Sequence, residues 1–454
     1  MEQPPKKLTV TIVGGGIGGL SLANMFEQAG IEYIILEKAK TIRALGSSLG
    51  LDASTLRVIE QLGLLDEFMK VSKPVRQFNF YNESIQPIGI VDFSCMTEIG
   101  GYPAIILDRP AFYNCLLKKL PKEKILYGKK VEDIEQDDNS ATVRCADGSS
   151  YTSDIVIGAD GAYSAVRRNI YSTLNTKGLL PLSDAQPLSF DQHCLVGVSA
   201  PIDPKDDEML RRETCDFEIV IPKTDPFYAI YMPLPGNRLS WAVIHNVPRA
   251  EALEGEARLS EWGPEASSEM IEFVRHQRSP LKGKTLGDII DMTDKSLISK
   301  IALEEKYFQT WYHGRVVLLG DACHKVVPSA GLGANLAILD GVHLCNLLVD
   351  MPSPTRENIS LIFENYFEKR SKIAQDALNN ARQFGKIMSN KGIMADVVRK
   401  VFLNYIPDWM TRWSNAQRLQ YRPQLHFLPE VPDRGSSKPQ PPEPRMFVSV
   451  QAAS

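Results

Sequence analysis

Leu8 to Val13 (L-T-V-T-I-V) is a β-branched, apolar run, the pattern of a strand buried on both faces of a parallel sheet. It passes directly into Gly14-Gly15-Gly16-Ile17-Gly18-Gly19, after which Leu20, Leu22, Ala23 and Phe26 fall at helical spacing. Gly14 permits the tight turn, Gly16 lets the backbone approach a pyrophosphate, and Gly19 lets helix and strand pack closely. The helix start offers unpaired N–H groups and a positive dipole to phosphate. A second strand, Tyr33 to Leu36, ends at Glu37, eighteen residues beyond Gly19, where a carboxylate accepts the ribose hydroxyls of an adenosine. These residues specify an adenine-dinucleotide site and leave open whether FAD or NAD fills it.

Two later blocks bear on that choice. Asp154-Ile155-Val156-Ile157-Gly158-Ala159 reads as a strand entering Asp160-Gly161, with Ser164 and Arg167 beyond. Gly314-Arg315-Val316-Val317-Leu318-Leu319 is another buried-strand pattern, ending at Gly320-Asp321. It continues through Ala322-Cys323-His324-Lys325 and Pro328 to Gly331-Leu332-Gly333-Ala334-Asn335, with a helix beginning near Asn335. Asp321, at a strand's end, is placed to accept a hydrogen bond from a ribityl hydroxyl. The amides of residues 331 to 335, opening a helix, suit the electron-rich pyrimidine edge of a reduced flavin. An NAD dehydrogenase has no use for a second such strand 284 residues beyond Glu37. Alone, Asp160-Gly161 is a common turn pair and Asp321 a turn cap. Their joint occurrence points to FAD.

In these blocks the chain resembles the single-component (group A) FAD-dependent monooxygenases over about residues 8 to 350. The resemblance implies that Gly14, Gly16, Gly19 and Glu37 hold ADP, that Asp160 serves FAD and NAD(P)H, and that Asp321 meets the ribityl chain. It also implies that Arg109, in Ile105-Ile106-Leu107-Asp108-Arg109-Pro110, reaches the FAD. Gly46-Ser47-Ser48-Leu49-Gly50 resembles the loop beside the isoalloxazine ring, which places Gly50, Gly333 and Ala334 at the ring. Glu37-Lys38, Trp311-x-His313-Gly314-Arg315, Asp321-Ala322-Cys323-His324-Lys325, Phe427-Leu428-Pro429 and Asp433-Arg434-Gly435 narrow the likeness to fungal epoxidases and hydroxylases of meroterpenoid, indole-diterpene and polyene pathways. That subgroup commonly has glutamine where Leu332 stands and an acid where Leu339 stands, so the pocket beside the ring is expected to be more apolar here. The implied cycle reduces FAD with transient NADPH or NADH, forms a C4a-hydroperoxide with O₂, and epoxidises or hydroxylates a lipophilic isoprenoid or polyketide. The alternatives are a flavin oxidase or dehydrogenase without oxygen insertion, and a non-catalytic flavin-binding protein.

Composition narrows the classes further. With 51 basic and 55 acidic side chains, the chain lacks the positive footprint of a nucleic-acid binder. Seven dispersed cysteines, an odd number without a C-x-x-C pair, argue against a disulfide framework or structural zinc and for a reduced, cytoplasmic setting. No metal site and no obligatory protein partner are expected. No run of 18 uncharged apolar residues predicts a membrane-spanning helix.

The expected fold is α/β: a Rossmann-like FAD-binding domain (1–180 and 291–355) with an inserted mixed β-sheet substrate domain (181–290). C-terminal helices (356–420) and a Pro-rich, extended tail (421–454) follow. A helix is predicted over Thr55 to Val71 and another over Ala111 to Leu120. Strands are predicted at Leu195–Val198, Glu218–Ile221, Tyr228–Tyr231 and Leu239–Ile244, with turn residues between them. On that sheet Tyr228 and His245 are the candidate catalytic residues, with Tyr231 a further polar group. His324 reads as a structural partner of the flavin loop. Val397 to Trp413, where Phe402, Tyr405, Trp409 and Trp413 sit beside Arg399, Lys400 and Arg412, suggests peripheral membrane contact.

Overall fold

The computed structural model describes residues 7–41, 48–205, 207–247, 264–327 and 331–447. Gly46, Ser47 and Pro328, singled out above, lie outside these ranges. Two sheets carry the architecture. The six-stranded nucleotide sheet has the order Tyr312–His313, Val316–Leu318, Ile155–Gly158, Thr9–Val13, Glu32–Glu37 and Ile125–Tyr127. All its pairings are parallel except that of the short Tyr312–His313 strand. Its central strands read as continuous apolar runs because both faces are covered: Val10, Ile12, Val156 and Ile157 are all buried.

The second sheet has ten strands. Along its path lie His324–Lys325, Ser299–Tyr307, Ser189–Val198, Arg238–Asn246, Phe227–Leu234, Cys215–Val220, Lys73–Tyr81, Ile105–Asp108 and Ser48–Leu51, and Pro87–Asp92 pairs with Lys73–Tyr81. This broad sheet is therefore not confined to the insertion. Strands from before residue 181 and from after residue 290 extend it, and the loop region near Gly50 becomes an edge strand paired with Ile105–Asp108. A three-stranded antiparallel sheet, Val131–Gln136, Ala141–Cys145 and Ser150–Ser153, flanks the nucleotide sheet.

Helix assignments differ from the sequence pattern at two places. The stretch from 55 to 71 is two helices, Ala53–Gln61 and Leu65–Lys70, because Gly63 takes φ 65° between them. The predicted Ala111 helix begins earlier, at Arg109, because Asp108 caps it by accepting from Ala111 N–H at 2.8 Å and Pro110 sits in the first turn. The long Arg356–Ser389 helix buries the expected stripe through Ile359, Ile362, Tyr366, Ala377, Ala381 and Met388.

The Pro-rich segment has no regular structure but is docked rather than free. Gln61 accepts from Leu425 N–H at 2.8 Å, Arg57 donates to the Val431 carbonyl at 2.8 Å, and Arg434 pairs with Glu60. Among the described residues no helix is long and apolar enough to cross a membrane, and all seven cysteines are free thiols.

Candidate active site

At the first turn, Gly14 has φ 109°, and a Cβ there would lie 2.5 Å from the Ala159 carbonyl oxygen. A Cβ on Gly19 would meet the Gly14 carbonyl at 2.1 Å, whereas one on Gly16 has only Ala159 O at 3.8 Å. Gly14 and Gly19 thus permit the turn and the packing, while Gly16 leaves an open approach to the backbone. Glu37 closes the arrangement: its Oε2 accepts from Gly15 N–H at 2.7 Å and its Oε1 from Ala39 N–H at 2.8 Å. Two cavities of about 460 and 260 Å³ meet at Gly16 and Glu37. The larger is bounded by Lys40 and Tyr113, the smaller by Lys38, Lys130, Asp160 and Arg168. Basic side chains on both rims suit a pyrophosphate, a feature the motif reading did not include.

Asp160 caps the helix that follows it, its Oδ2 accepting from Ala165 and Val166 N–H at 2.6 and 3.2 Å. Its Oδ1 is buried without a partner among the described residues, and burial pushes the carboxyl's pKa above the usual range. Arg109 is exposed, with its guanidinium 6.0 Å from the centre of the ring of Tyr113, which lines the larger cavity.

The other end of the site is assembled from remote segments. The helix Gly333–Asp350 starts without a side-chain cap, so the N–H groups of Gly333, Ala334 and Asn335 open toward whatever lies before it. A Cβ on Gly333 would meet nothing within 4 Å. Asn335 uses its whole side-chain capacity to join this helix to the Gly50 strand. Its Nδ2 donates to Gly50 O (3.0 Å) and Gly331 O (3.2 Å), and its Oδ1 accepts from Thr55 Oγ1 (2.7 Å) and Asp52 N–H (3.2 Å). Asp321 sits in the Gly320–Ala322 turn, half-buried, with Oδ2 taking Lys325 Nζ at 2.6 Å.

Behind that turn lies a network that sequence reasoning missed. Asp340 is fully buried; its Oδ1 accepts from Arg370 Nε at 2.7 Å, while its Oδ2 meets His324 Nε2 at 2.6 Å and Gly320 N–H at 3.1 Å. Burial pushes the Asp340 carboxyl up, but the charges of His324 and Arg370 outweigh it and hold the pKa down to about 2. Cys323 lies close enough to His324 and Asp340 to suggest a metal trio. Both carboxylate oxygens already serve the ion pair, which makes the trio an internal latch on the turn. His324 thus ties the Gly320–Ala322 turn to Asp340. Arg167 adds a second tie, donating from Nη1 to Ala322 O at 2.7 Å.

The broad sheet roofs this end. Tyr228, Cys194, Ile219 and Ile244 lie in one buried apolar cluster with Val326, Val327 and Leu336, and Leu332 packs against it. Burial pushes the Tyr228 hydroxyl's pKa up, so it is held as a neutral phenol. His245 goes elsewhere. Its cross-strand partner is Phe227, whereas Tyr228 pairs with Ile244, and residues directly opposite share a face. His245 therefore lies on the opposite face, its ring 5.8 Å from that of Phe273, and the structure does not bring it to the site. Tyr231 also lies on that face, in the cluster with Trp241 and Val243.

A dinucleotide cradle at one sheet and an amide-lined helix start beneath a second define a flavoprotein of the two-sheet α/β type. The family model described as "FAD binding domain" matches residues 7–381. Among curated proteins, the chain is 32% identical over 455 aligned residues to the FAD-dependent monooxygenase penE of Penicillium thymicola, covering 96% of this chain and 90% of that one. It is 29% identical to the FAD-dependent monooxygenase nvfK of Aspergillus novofumigatus, covering 88% and 83%. Among solved structures, Klebsiella pneumoniae HpxO complexed with FAD and uric acid superposes with a TM-score of 0.73 at 20% identity, covering 91% of this chain and 97% of that one. The chain belongs to this FAD-binding-domain family and is an FAD-dependent monooxygenase.

Proposed function

We propose that the protein uses NAD(P)H and O₂ to insert one oxygen atom into a lipophilic isoprenoid or polyketide intermediate of secondary metabolism, by epoxidation or hydroxylation. The observation that carries the substrate class is the roof. Its site-facing cluster is built from Phe80, Cys194, Val196, Ile219, Ala242 and Ile244, with Phe78, Phe217 and Ile230 packed against it, and Tyr228 supplies the phenolic hydroxyl among them. Leu332, at the helix start, extends that apolar wall. Such a wall recognises hydrocarbon by burial, at about 25 cal/mol per Å² of apolar surface removed from water.

Bound FAD would supply electron transfer from NAD(P)H and activation of O₂. The residues that would hold it fit along its length. Glu37 and the Gly14–Gly19 turn suit the ADP half, Asp160 and Arg109 the approaches, Asp321 the ribityl chain, and the amides of Gly333 and Ala334 beside Gly50 the ring. The fit rests on the buried, unpartnered Asp160 Oδ1 and on the open face at Gly16 and Gly333. The chain's own work is to position hydrocarbon against the ring and to exclude water, which would otherwise let reducing equivalents run to hydrogen peroxide. A neutral Tyr228 can donate a hydrogen bond and orient a polar group on the substrate; oxygen transfer to an alkene needs no base.

Turnover under ¹⁸O₂ with a panel of prenylated and polyene compounds tests the reading. One labelled oxygen per product, coupled to NAD(P)H oxidation, is the expected result. A dehydrogenated product without label would assign the protein to hydride transfer alone.

A further inference from the structure

The two helices after the long Arg356–Ser389 helix present their apolar residues outward. On Ile393–Asn404, the residues at 393, 394, 397, 398 and 401 fall on one side, and Ile393 and Met394 are 84% and 76% exposed. The opposite side is the packed one. Leu403 is buried in the roof cluster, and Arg399, also buried, reaches back to Asn390 O at 2.7 Å. On Asp408–Arg418, Trp409 and Trp413 are 67% and 62% exposed, with Met410 beside them. Inward-reaching Arg412 and Arg418 tie that helix to Glu98 and Asp52 at 2.5 and 2.9 Å. Tyr405 and Ile406, exposed at the bend, join the two stripes into one surface.

Exposed apolar stripes on helices whose inner faces are anchored mark an interaction surface. Charge and residue type say with what. Of the six basic side chains between residues 386 and 418, Arg399, Arg412 and Arg418 are held in ion pairs by Asp396, Glu98 and Asp52, and Lys391 donates to the Pro222 and Phe227 carbonyls, so Lys386 and Lys400 are the exposed cations beside the stripes. A second copy meeting this surface about a two-fold axis would oppose these two lysines with their own copies. Tryptophan and tyrosine beside lysine and arginine, around an aliphatic stripe, are instead the residues that settle at a lipid headgroup boundary.

We propose that Ile393–Asn404 and Asp408–Arg418 form a monotopic docking surface for anionic phospholipid, lying in the membrane plane with the Ile393–Val401 and Trp409–Trp413 stripes inserted. Leu403 lies in the roof cluster and Phe402 packs against it, so this surface sits on the outer side of the roof. The docking itself does not depend on which compound is oxidised.

Co-sedimentation of the FAD-loaded protein with vesicles tests it, using phosphatidylcholine containing 30% phosphatidylserine against phosphatidylcholine alone. Binding to the anionic vesicles should be at least tenfold tighter and should weaken in high salt. The triple substitution V401S/W409S/W413S should lower vesicle affinity at least tenfold while flavin content and thermal midpoint stay at wild-type values. The pair K386E/K400E should remove the preference for anionic lipid. Wild-type protein that stays in the supernatant with both vesicles, or variants that bind as wild type does, would overturn the proposal. A lipid-free dimer in analytical ultracentrifugation that the triple substitution dissociates would overturn it too, by assigning the surface to a second copy.

Discussion

The two ends of the cofactor cradle are built in different ways. The adenosine end is one contiguous strand–turn–helix–strand unit, in which Glu37 bonds an amide only 22 positions earlier. The ring end is a meeting of segments: Asn335 joins the helix start to Gly50, 285 positions away, and Asp340 joins Gly320 to Arg370. A contiguous end keeps its shape whenever its own strand and helix form. An assembled end keeps its shape only while its ties hold, so it should be the more sensitive to substitutions that touch no cofactor.

Substitutions behind the ring end probe that difference most strongly. Arg370→Met leaves Asp340 buried without its guanidinium partner and should cost about 3–5 kcal/mol, read as a lowered thermal midpoint, with flavin lost before the chain unfolds. The same pair sets a pH limit. The Asp340 pKa is depressed in the folded state from 3.8 to about 2, so its stabilisation is present above 3.8 and is lost as pH falls toward 2. Acid titration of wild type should show this loss and Arg370→Met should show less of it. Equal acid sensitivity would remove the latch from the account.

A smaller effect is expected from Asn335→Leu, which strands the Gly50 and Gly331 carbonyls and should cost about 1–3 kcal/mol. Its signature is weaker flavin retention and a flavin fluorescence closer to that of the free cofactor, with the nucleotide sheet intact. Unchanged affinity and spectrum would show that the helix start needs no tie to the Gly50 strand.

The roof should give the smallest stability changes and the sharpest split in activity. Tyr228→Phe should change coupling of NAD(P)H oxidation to product by roughly two- to tenfold, and His245→Ala should leave coupling at the wild-type value. A matching loss in both variants would contradict the assignment of the two residues to opposite faces.

The contrast between the ends also explains what the sequence made legible. Gly14, Gly16, Gly19 and Glu37 are readable because the turn, the helix and the terminal acid are neighbours in the chain. Gly333 and Ala334 are readable because a glycine-rich break followed by an apolar helix marks a helix start. The Asn335 clamp and the Asp340–Arg370 pair were hidden, since nothing local distinguishes a buried aspartate or arginine in a helix from a surface one. Tyr228 and His245 looked equivalent, and only the pairing register, Tyr228 with Ile244 and His245 with Phe227, separates their faces. The broad sheet was legible in its inserted strands but not in Ser48–Leu51, Lys73–Tyr81 and Ile105–Asp108. Their pairing partners lie far along the chain, and in sequence they stand among the elements of the nucleotide unit.

The central claim is that one FAD spans both ends. Titration of the apoprotein with FAD, for wild type, Glu37→Ala and Asp321→Ala, tests it most directly. One flavin per chain is the expected result, with each substitution weakening affinity about tenfold or more. A chain that takes up no flavin, or two variants that bind it as wild type does, would contradict it.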